Sequence, residues 1–419
     1  MGEIVDLDAG GPGSTRRGRR SRRRPSKTAL VLGGGGLTGG VYEIGALRAL
    51  DLLSANSTVN DFDIYVGTSA GAFVGSLVAN GVTPEEMMRV LNKDLPSPLR
   101  DIDLGTLLRP NYRGFAESIA KAPFRAAAIA REVAFNFRDL SALDIAGSFG
   151  TLFPNGLYSG TGIERYVHEA LSDPDRSDDF RELDAELFLT ATDLDTTERI
   201  VLGEGEWARV PISKAVAASG ALPIVYAPVT IGDRDFIDGG IRSTTNIDVA
   251  VDRGAKFIVV INPLVPYVND FDTEIPTLTG EKARSVSEMG AGAVANQSFR
   301  MLSHDRLHRA VEEWERSYPG VDIILIEPEL DDELMFGTSI LDYSARLEIA
   351  KHGFESVTVK LHENFDHYAE ICARHGLEIS ATRVRQALDG AAADEQSEDL
   401  SAWRRVLEQT TATLLRQPG

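Results

Sequence analysis

Cysteine is nearly absent. The 419 residues contain one, Cys372, so no disulfide can form within the chain. A chain of this length can bury a core without one, and a lone thiol fits a reducing compartment, so a cytoplasmic location is expected. Long apolar runs are also missing. No stretch reaches 18 apolar residues, so no transmembrane helix is expected. The run Thr28–Leu32 is too short for the core of an export signal. Metal-ligand spacings of His, Cys and Asp are not recognisable, and neither a metal nor another cofactor is expected.

Positive charge is scarce, with 43 Lys and Arg against 63 Asp and Glu and a net charge of −20. It is also local. Residues 1–27 hold eight basic and three acidic residues, most of them in the run from Arg16 to Arg24, whereas the remainder has 35 basic and 60 acidic. So acidic a body repels phosphate, and nucleic acid is not expected as a partner. The Gly-, Arg- and Ser-rich residues 1–27 read as a disordered tail. It is either merely solvated or a tether to anionic lipid, where each basic residue could contribute about 1 kcal/mol.

From residue 28 onward short apolar runs alternate with segments of helical spacing. Strands are expected at Thr28–Leu32, Phe62–Val66, Leu187–Ala191, Arg199–Leu202, Val225–Thr230, Phe257–Ile261 and Asp322–Ile326. The first helix is expected through Val41, Ile44, Leu47 and Leu50, the second from Ala70 to about Asn80. Others fall at 84–92, 161–171, 212–219, 246–253, 284–316 and 340–361. This alternation implies an α/β fold with a central, mostly parallel sheet flanked by helices. The expected organisation is a catalytic domain over 28–330 and a helical C-terminal extension over 331–419. That extension has a linker at 390–400 and a last amphipathic helix near 400–415. Residues 113–136 interrupt the alternation with one or two amphipathic helices. They are either ordinary surface helices packed on the sheet or a lid that faces lipid.

Chemistry concentrates in three segments. Gly67-Thr68-Ser69-Ala70-Gly71 reads G-x-S-x-G after a strand and before a helix, the context of a nucleophile elbow. Ser69 needs small neighbours in so tight a turn, and Gly67 and Gly71 supply them. Asp238 follows a short strand and precedes Gly239 and Gly240, which allow close backbone approach. The seven histidines lack any such context. The run Gly33–Gly40 opens the first helix. It contains G-x-G-x-x-G, but the second strand ends in Gly67-Thr68-Ser69 rather than an acidic residue that could hold a ribose, which argues against a dinucleotide. Gly34, Gly35 and Gly36 are instead expected to expose amides to an oxyanion.

In this order the three segments resemble the patatin-like phospholipase family. Ala191–Thr196, Ala218-Ser219-Gly220-Ala221-Leu222-Pro223 and Asn246 extend the similarity over residues 28–265. The resemblance implies a three-layer patatin-like fold and a Ser69–Asp238 dyad without histidine. It also implies an acyl-enzyme mechanism on fatty-acyl esters, of phospholipase A or lysophospholipase type, without calcium. One departure stands out: family members commonly carry Arg or Lys where this loop has Thr38, or Gly39 if the loop is aligned from the helix side. A lipid substrate is expected, with peripheral membrane contact through the Arg-rich tail or residues 113–136. Oligomeric state is not legible. Two rival readings remain open: a Ser-His-Asp esterase using His304 or His308, and a non-catalytic lipid-binding protein on the same fold.

Overall fold

The structure is a computed structural model that describes residues 25–92, 99–136, 150, 152–271, 274–276 and 282–395. The strands are β1 (Thr28–Leu32), β2 (Ile64–Thr68), β3 (Gly156–Tyr158), β4 (Glu186–Asp193), β5 (Arg199–Leu202) and β6 (Ile224–Tyr226). They continue with β7 (Val229–Ile231), β8 (Arg234–Asp238), β9 (Phe257–Ile261), β10 (Ile275–Pro276), β11 (Lys282–Ala283) and β12 (Asp322–Ile326). The helices are α1 (Gly36–Leu53), α2 (Ala70–Ala79), α3 (Pro84–Leu91), α4 (Leu104–Leu107), α5 (Tyr112–Asn136), α6 (Thr161–Leu171) and α7 (Ile212–Ser219). After them come α8 (Ile247–Asp252), α9 (Ala291–Ser317), α10 (Glu333–Gly337), α11 (Arg346–Glu363), α12 (Phe365–Arg374) and α13 (Ala381–Glu395).

Among the described residues the central sheet has eight strands, ordered β12-β9-β1-β2-β4-β8-β7, with β5 also on β4. The first five run parallel, whereas β8, β7 and β5 are antiparallel additions. β1, β2 and β9 are buried along their whole length, as continuous apolar strands of a parallel sheet must be when both faces are covered. Alternate residues serve opposite faces. Leu30, Leu32, Tyr65, Val259 and Ile261 pack with α1, α2 and α11, while Ala29, Val31, Ile64, Val66, Ile258 and Val260 pack with α8 and α9. The result is helix, sheet and helix, in three layers.

Among the described residues beyond 330, α11 is part of this packing. α11 lies along α1 at a glycine contact. A Cβ on Gly45 would fall within 3.1 Å of Ala350 Cα and closer still to the Ala350 carbonyl, and one on Gly353 would meet the Tyr42 carbonyl. Only hydrogen at these two positions lets the backbones approach so closely.

Several expected elements are displaced for local reasons. The strand expected at Val225–Thr230 is two strands, β6 and β7, because Pro228 between them has no N–H to continue a ladder. The strand expected at Phe62–Val66 begins at Ile64, since Asp63 turns its carboxylate to the Thr28 amide at 2.7 Å. The 284–316 helix is interrupted at Gly290, whose φ of 89° closes the short turn Val286–Met289 before α9 begins. Residues 340–345, expected to be helical, are not, and α11 starts at Arg346. Residues 113–136 form one helix, α5, with Pro123 inside it. Residues 390–395, expected as linker, continue α13. The Arg-rich run, the rest of that linker and the helix near 400–415 lie outside the described residues.

Candidate active site

Sheet register brings the two chemically important side chains together. Ala191 of β4 pairs with Ile200 of β5 on one edge and with Asp238 of β8 on the other. β2 occupies the same edge as β8, ending with Thr68 opposite Thr190. β2 and the antiparallel β8 therefore run toward each other and stop one residue apart. Ser69 follows the end of β2 and Asp238 ends β8, so they meet. Ser69 Oγ donates to Asp238 Oδ2 at 2.5 Å.

The turn at Ser69 is strained. Its φ of 56° and ψ of −117° lie where residues with a side chain are rare. Surrounding contacts hold it there. The Ser69 amide donates to Ser219 Oγ at 2.8 Å, and that hydroxyl donates to the Thr190 carbonyl at 2.7 Å. The Gly71 amide reaches back to the Gly33 carbonyl at 2.9 Å. A Cβ on Gly67 would stand 2.6 Å from Ala72 Cα, and one on Gly71 would press into the Leu32 and Gly33 carbonyls. Both positions thus require glycine for space, as the elbow pattern implied.

Asp238 is held as firmly. Its Oδ1 accepts from the Gly240 amide at 2.7 Å, and its own amide donates to the Ala221 carbonyl at 3.0 Å. Gly239 passes so close to Thr190 that a Cβ would lie 2.8 Å from its hydroxyl. Burial pushes the Asp238 carboxyl up to about 6, against the opposing pull of the hydrogen bonds from Ser69 and Gly240. Asn246, which precedes α8, is fully buried behind the pair. Its amide donates to Thr68 Oγ1 at 2.9 Å and Thr190 Oγ1 at 3.0 Å, and its Oδ1 accepts from Arg199 at 2.9 Å. It ties β2 to β4 directly beneath Ser69.

Gly34, Gly35 and Gly36 line the same cavity as Ser69 and Asp238. Among the described residues their amides donate to no backbone carbonyl, whereas those of Gly33 and Leu37 on either side donate to Ile261 and Ile340. Gly36 has φ 64° and crowds Ile340, to whose Cβ a side chain here would come within 2.9 Å. α1 and α2 both begin at this point, so two helix N-termini face the site and favour developing negative charge. Thr38 is buried, and its Oγ1 donates to the Ser339 carbonyl at 2.7 Å. Thr38 thus holds down the segment that joins α10 to α11.

Sequence reasoning missed that segment. Ile340, Leu341 and Tyr343 form one wall of the cavity, and Leu264, Asn296 and Phe299 another. No local pattern marks residues 339–343 as part of a site, because only α11 packing on α1 brings them there. The cavity measures about 1190 Å³ including the space at its mouth, and Phe73, Leu91, Ile102, Leu107, Ile163 and Leu222 make its interior apolar.

No histidine among the described residues lines the cavity. His308 Nε2 is instead 2.9 Å from Glu327 Oε2, and His304 stacks on His308. The spacing of His304 and His308 was visible in the sequence, but Glu327, which joins them from the end of β12, was not. The helix α5 leaves large apolar side chains uncovered: Tyr112, Ile119, Phe124 and Phe135 are each more than 70% exposed. No helix among the described residues is long and apolar enough to cross a membrane.

A family model described as patatin-like phospholipase matches residues 30–251. A search of curated proteins returned no match. Among solved structures, VipD from Legionella pneumophila is similar at 14% identity, with 93% of this chain and 80% of that chain covered and a TM-score of 0.35. ExoU from Pseudomonas aeruginosa, in complex with SpcU, is similar at 16% identity, covering 89% and 61%, with a TM-score of 0.28. Human GIVD cytosolic phospholipase A2, in complex with methyl gamma-linolenyl fluorophosphonate, aligns at 10% identity, covering 92% and 60%, with a TM-score of 0.27. The chain spans about three fifths of these last two.

Proposed function

The chain belongs to the patatin-like phospholipase family, and from that premise we propose that it cleaves fatty-acyl esters of lipids through Ser69 and Asp238. One observation carries the reading: a serine held at φ 56° at an apolar cavity, its hydroxyl donating to a buried carboxylate at 2.5 Å. A serine hydroxyl attacks only once something takes its proton. Asp238 is already in contact with it, and a carboxyl raised to about 6 is a stronger base than an ordinary one while still ionised at neutral pH.

In this mechanism Ser69 Oγ attacks the ester carbonyl as Asp238 accepts its proton. Negative charge on the carbonyl oxygen is met by free amides of Gly34, Gly35 and Gly36. Removing one such donor typically lowers a rate by roughly 10²–10³. The tetrahedral intermediate collapses, the alcohol leaves with a proton from Asp238, and the acyl group stays on Ser69. Water, deprotonated by Asp238, then attacks the acyl carbonyl, and Asp238 returns the proton to Ser69 Oγ as the fatty acid leaves. The apolar interior receives the acyl chain and leaves a headgroup at the mouth. The exposed apolar residues of α5, interleaved with Arg113, Lys121, Arg125 and Arg131, suit contact with an anionic lipid surface.

A fluorophosphonate probe tests the nucleophile. Wild type should be labelled on the peptide that contains Ser69, and Ser69→Ala should not. A folded wild type that stays unlabelled would overturn the reading. Product analysis on phospholipids, lysophospholipids and monoacylglycerols then identifies the ester.

A further inference from the structure

Away from the ester chemistry, one cluster of side chains has the donors and placement of a metal site. His304 and His308 are one turn apart on α9, and Glu327 follows β12. One ligating atom from each lies within 4.8 Å of the others. The imidazoles are stacked, with ring centres 4.0 Å apart, so they present nitrogens side by side. Glu327 Oε2 faces His308 Nε2 at 2.9 Å. Its other oxygen is already occupied, accepting from the Asn262 amide at 2.7 Å. Asn262 is fully buried at the end of β9. A carboxylate fixed from behind by a hydrogen bond, with its free oxygen turned to two imidazoles, is the outer-shell arrangement that orients metal ligands.

Charge points the same way. The Glu327 side chain is only 10% exposed, and among the described residues no lysine or arginine pairs with it. A nearly buried carboxylate without a permanent cation is costly, and a divalent ion would supply one. We propose that His304, His308 and Glu327 bind a first-row divalent metal of the zinc type. Two imidazole nitrogens and one carboxylate oxygen suit zinc and its neighbours better than magnesium or calcium, which prefer all-oxygen shells. A tetrahedral zinc has bonds of about 2.0–2.1 Å to nitrogen, so small side-chain rotations suffice to close the three donors on it. His304 and His308 are half-buried, which leaves an entry path and room for a water as fourth ligand.

The ion would fasten α9 to the end of β12. α9 also carries Arg306, which donates to the Ile241 and Arg242 carbonyls at 3.2 Å, three and four residues beyond Asp238. Its role is therefore that of a structural clip.

The test uses the full chain, stripped by chelator and titrated with zinc by calorimetry, with cobalt(II) absorption as a second readout. The expected result is one zinc per chain and a cobalt spectrum of four-coordinate type. His304→Ala and His308→Ala should each weaken binding at least 100-fold, and Glu327→Gln at least 10-fold, while circular dichroism shows the fold retained. Magnesium should not compete. Absence of stoichiometric zinc on wild type would overturn the proposal. So would equal affinity in the histidine variants, which would place any bound zinc elsewhere. Neither outcome bears on Ser69 or Asp238.

Discussion

Thr38 Oγ1 hydrogen-bonds to the Ser339 carbonyl, fastening the glycine loop to the segment that walls the cavity. A neutral hydrogen bond of this kind contributes about 1 kcal/mol net. Thr38→Val keeps the shape and should lower the denaturation midpoint modestly, with KM for a long-chain ester rising more than for acetate. Thr38→Arg, which places a cation in the loop, should fare worse, because this side chain is buried against residue 339. It should lose both stability and activity, measured by thermal melting and ester hydrolysis. An active, stable Thr38→Arg would show that the loop tolerates the cation.

In the proposed mechanism the raised carboxyl of Asp238 should set the acid limb of activity. The group must be ionised to take the Ser69 proton. Activity is therefore lost as pH falls through about 6 and is flat above it. The measurement is kcat/KM on a soluble ester between pH 4.5 and 8. Asp238→Asn should abolish the limb and lower the rate by roughly 10²–10⁴. A midpoint near 4 would mean that Asp238 is not the base.

Glu43 in α1 should make folding stability depend on pH. It is fully buried, and among the described residues no side chain pairs with either of its carboxylate oxygens. Burial holds its carboxyl well above the usual carboxylate range, offset only partly by the Gly33 backbone. In the unfolded chain the proton is lost near pH 4.3. Above that pH the folded form keeps a proton that the unfolded form has released, so its stability falls by about 1.4 kcal/mol per pH unit until the folded group also ionises. Below that pH the effect vanishes. Glu43→Gln removes the slope: urea midpoints of the two proteins should agree near pH 4, with the variant ahead at pH 8. Parallel curves would refute this.

Uncovered apolar side chains on α5 predict a split between two assays. Ile119→Asp with Phe124→Asp removes apolar surface that is more than 70% exposed, so the fold should be unaffected. Hydrolysis of a soluble short-chain ester should stay within twofold of wild type. Hydrolysis of vesicle phospholipid should fall at least tenfold, with loss of co-sedimentation. Equal loss in both assays would remove lipid contact as the role of this helix.

Tight turns that depend on small residues were readable in the sequence. Ser69, Gly67 and Gly71 announce a strand-to-helix turn, and Asp238 with Gly239 and Gly240 announces another, because small residues are needed where backbones nearly touch. Short apolar strands such as Phe257–Ile261 and Asp322–Ile326 were legible with their boundaries. What could not be read depends on distant packing. Residues 340–345 have helical character in isolation but are drawn out over the glycine loop, where Ile340 accepts from Leu37. Glu327 gains its meaning only from the register of β12 beside β9. Asn246 stood out only through the family resemblance, and its contacts with Thr68 and Thr190 lie across the sheet.

The φ of 56° at Ser69 has a consequence for the protein's evolution in the laboratory. Glycine occupies that region without the strain of about 1–3 kcal/mol that a side chain incurs. Ser69→Gly should therefore melt at a higher temperature than wild type while losing the hydroxyl. Selection for heat resistance alone would drift toward a silent protein at this position, and only a screen that also demands turnover would keep the serine.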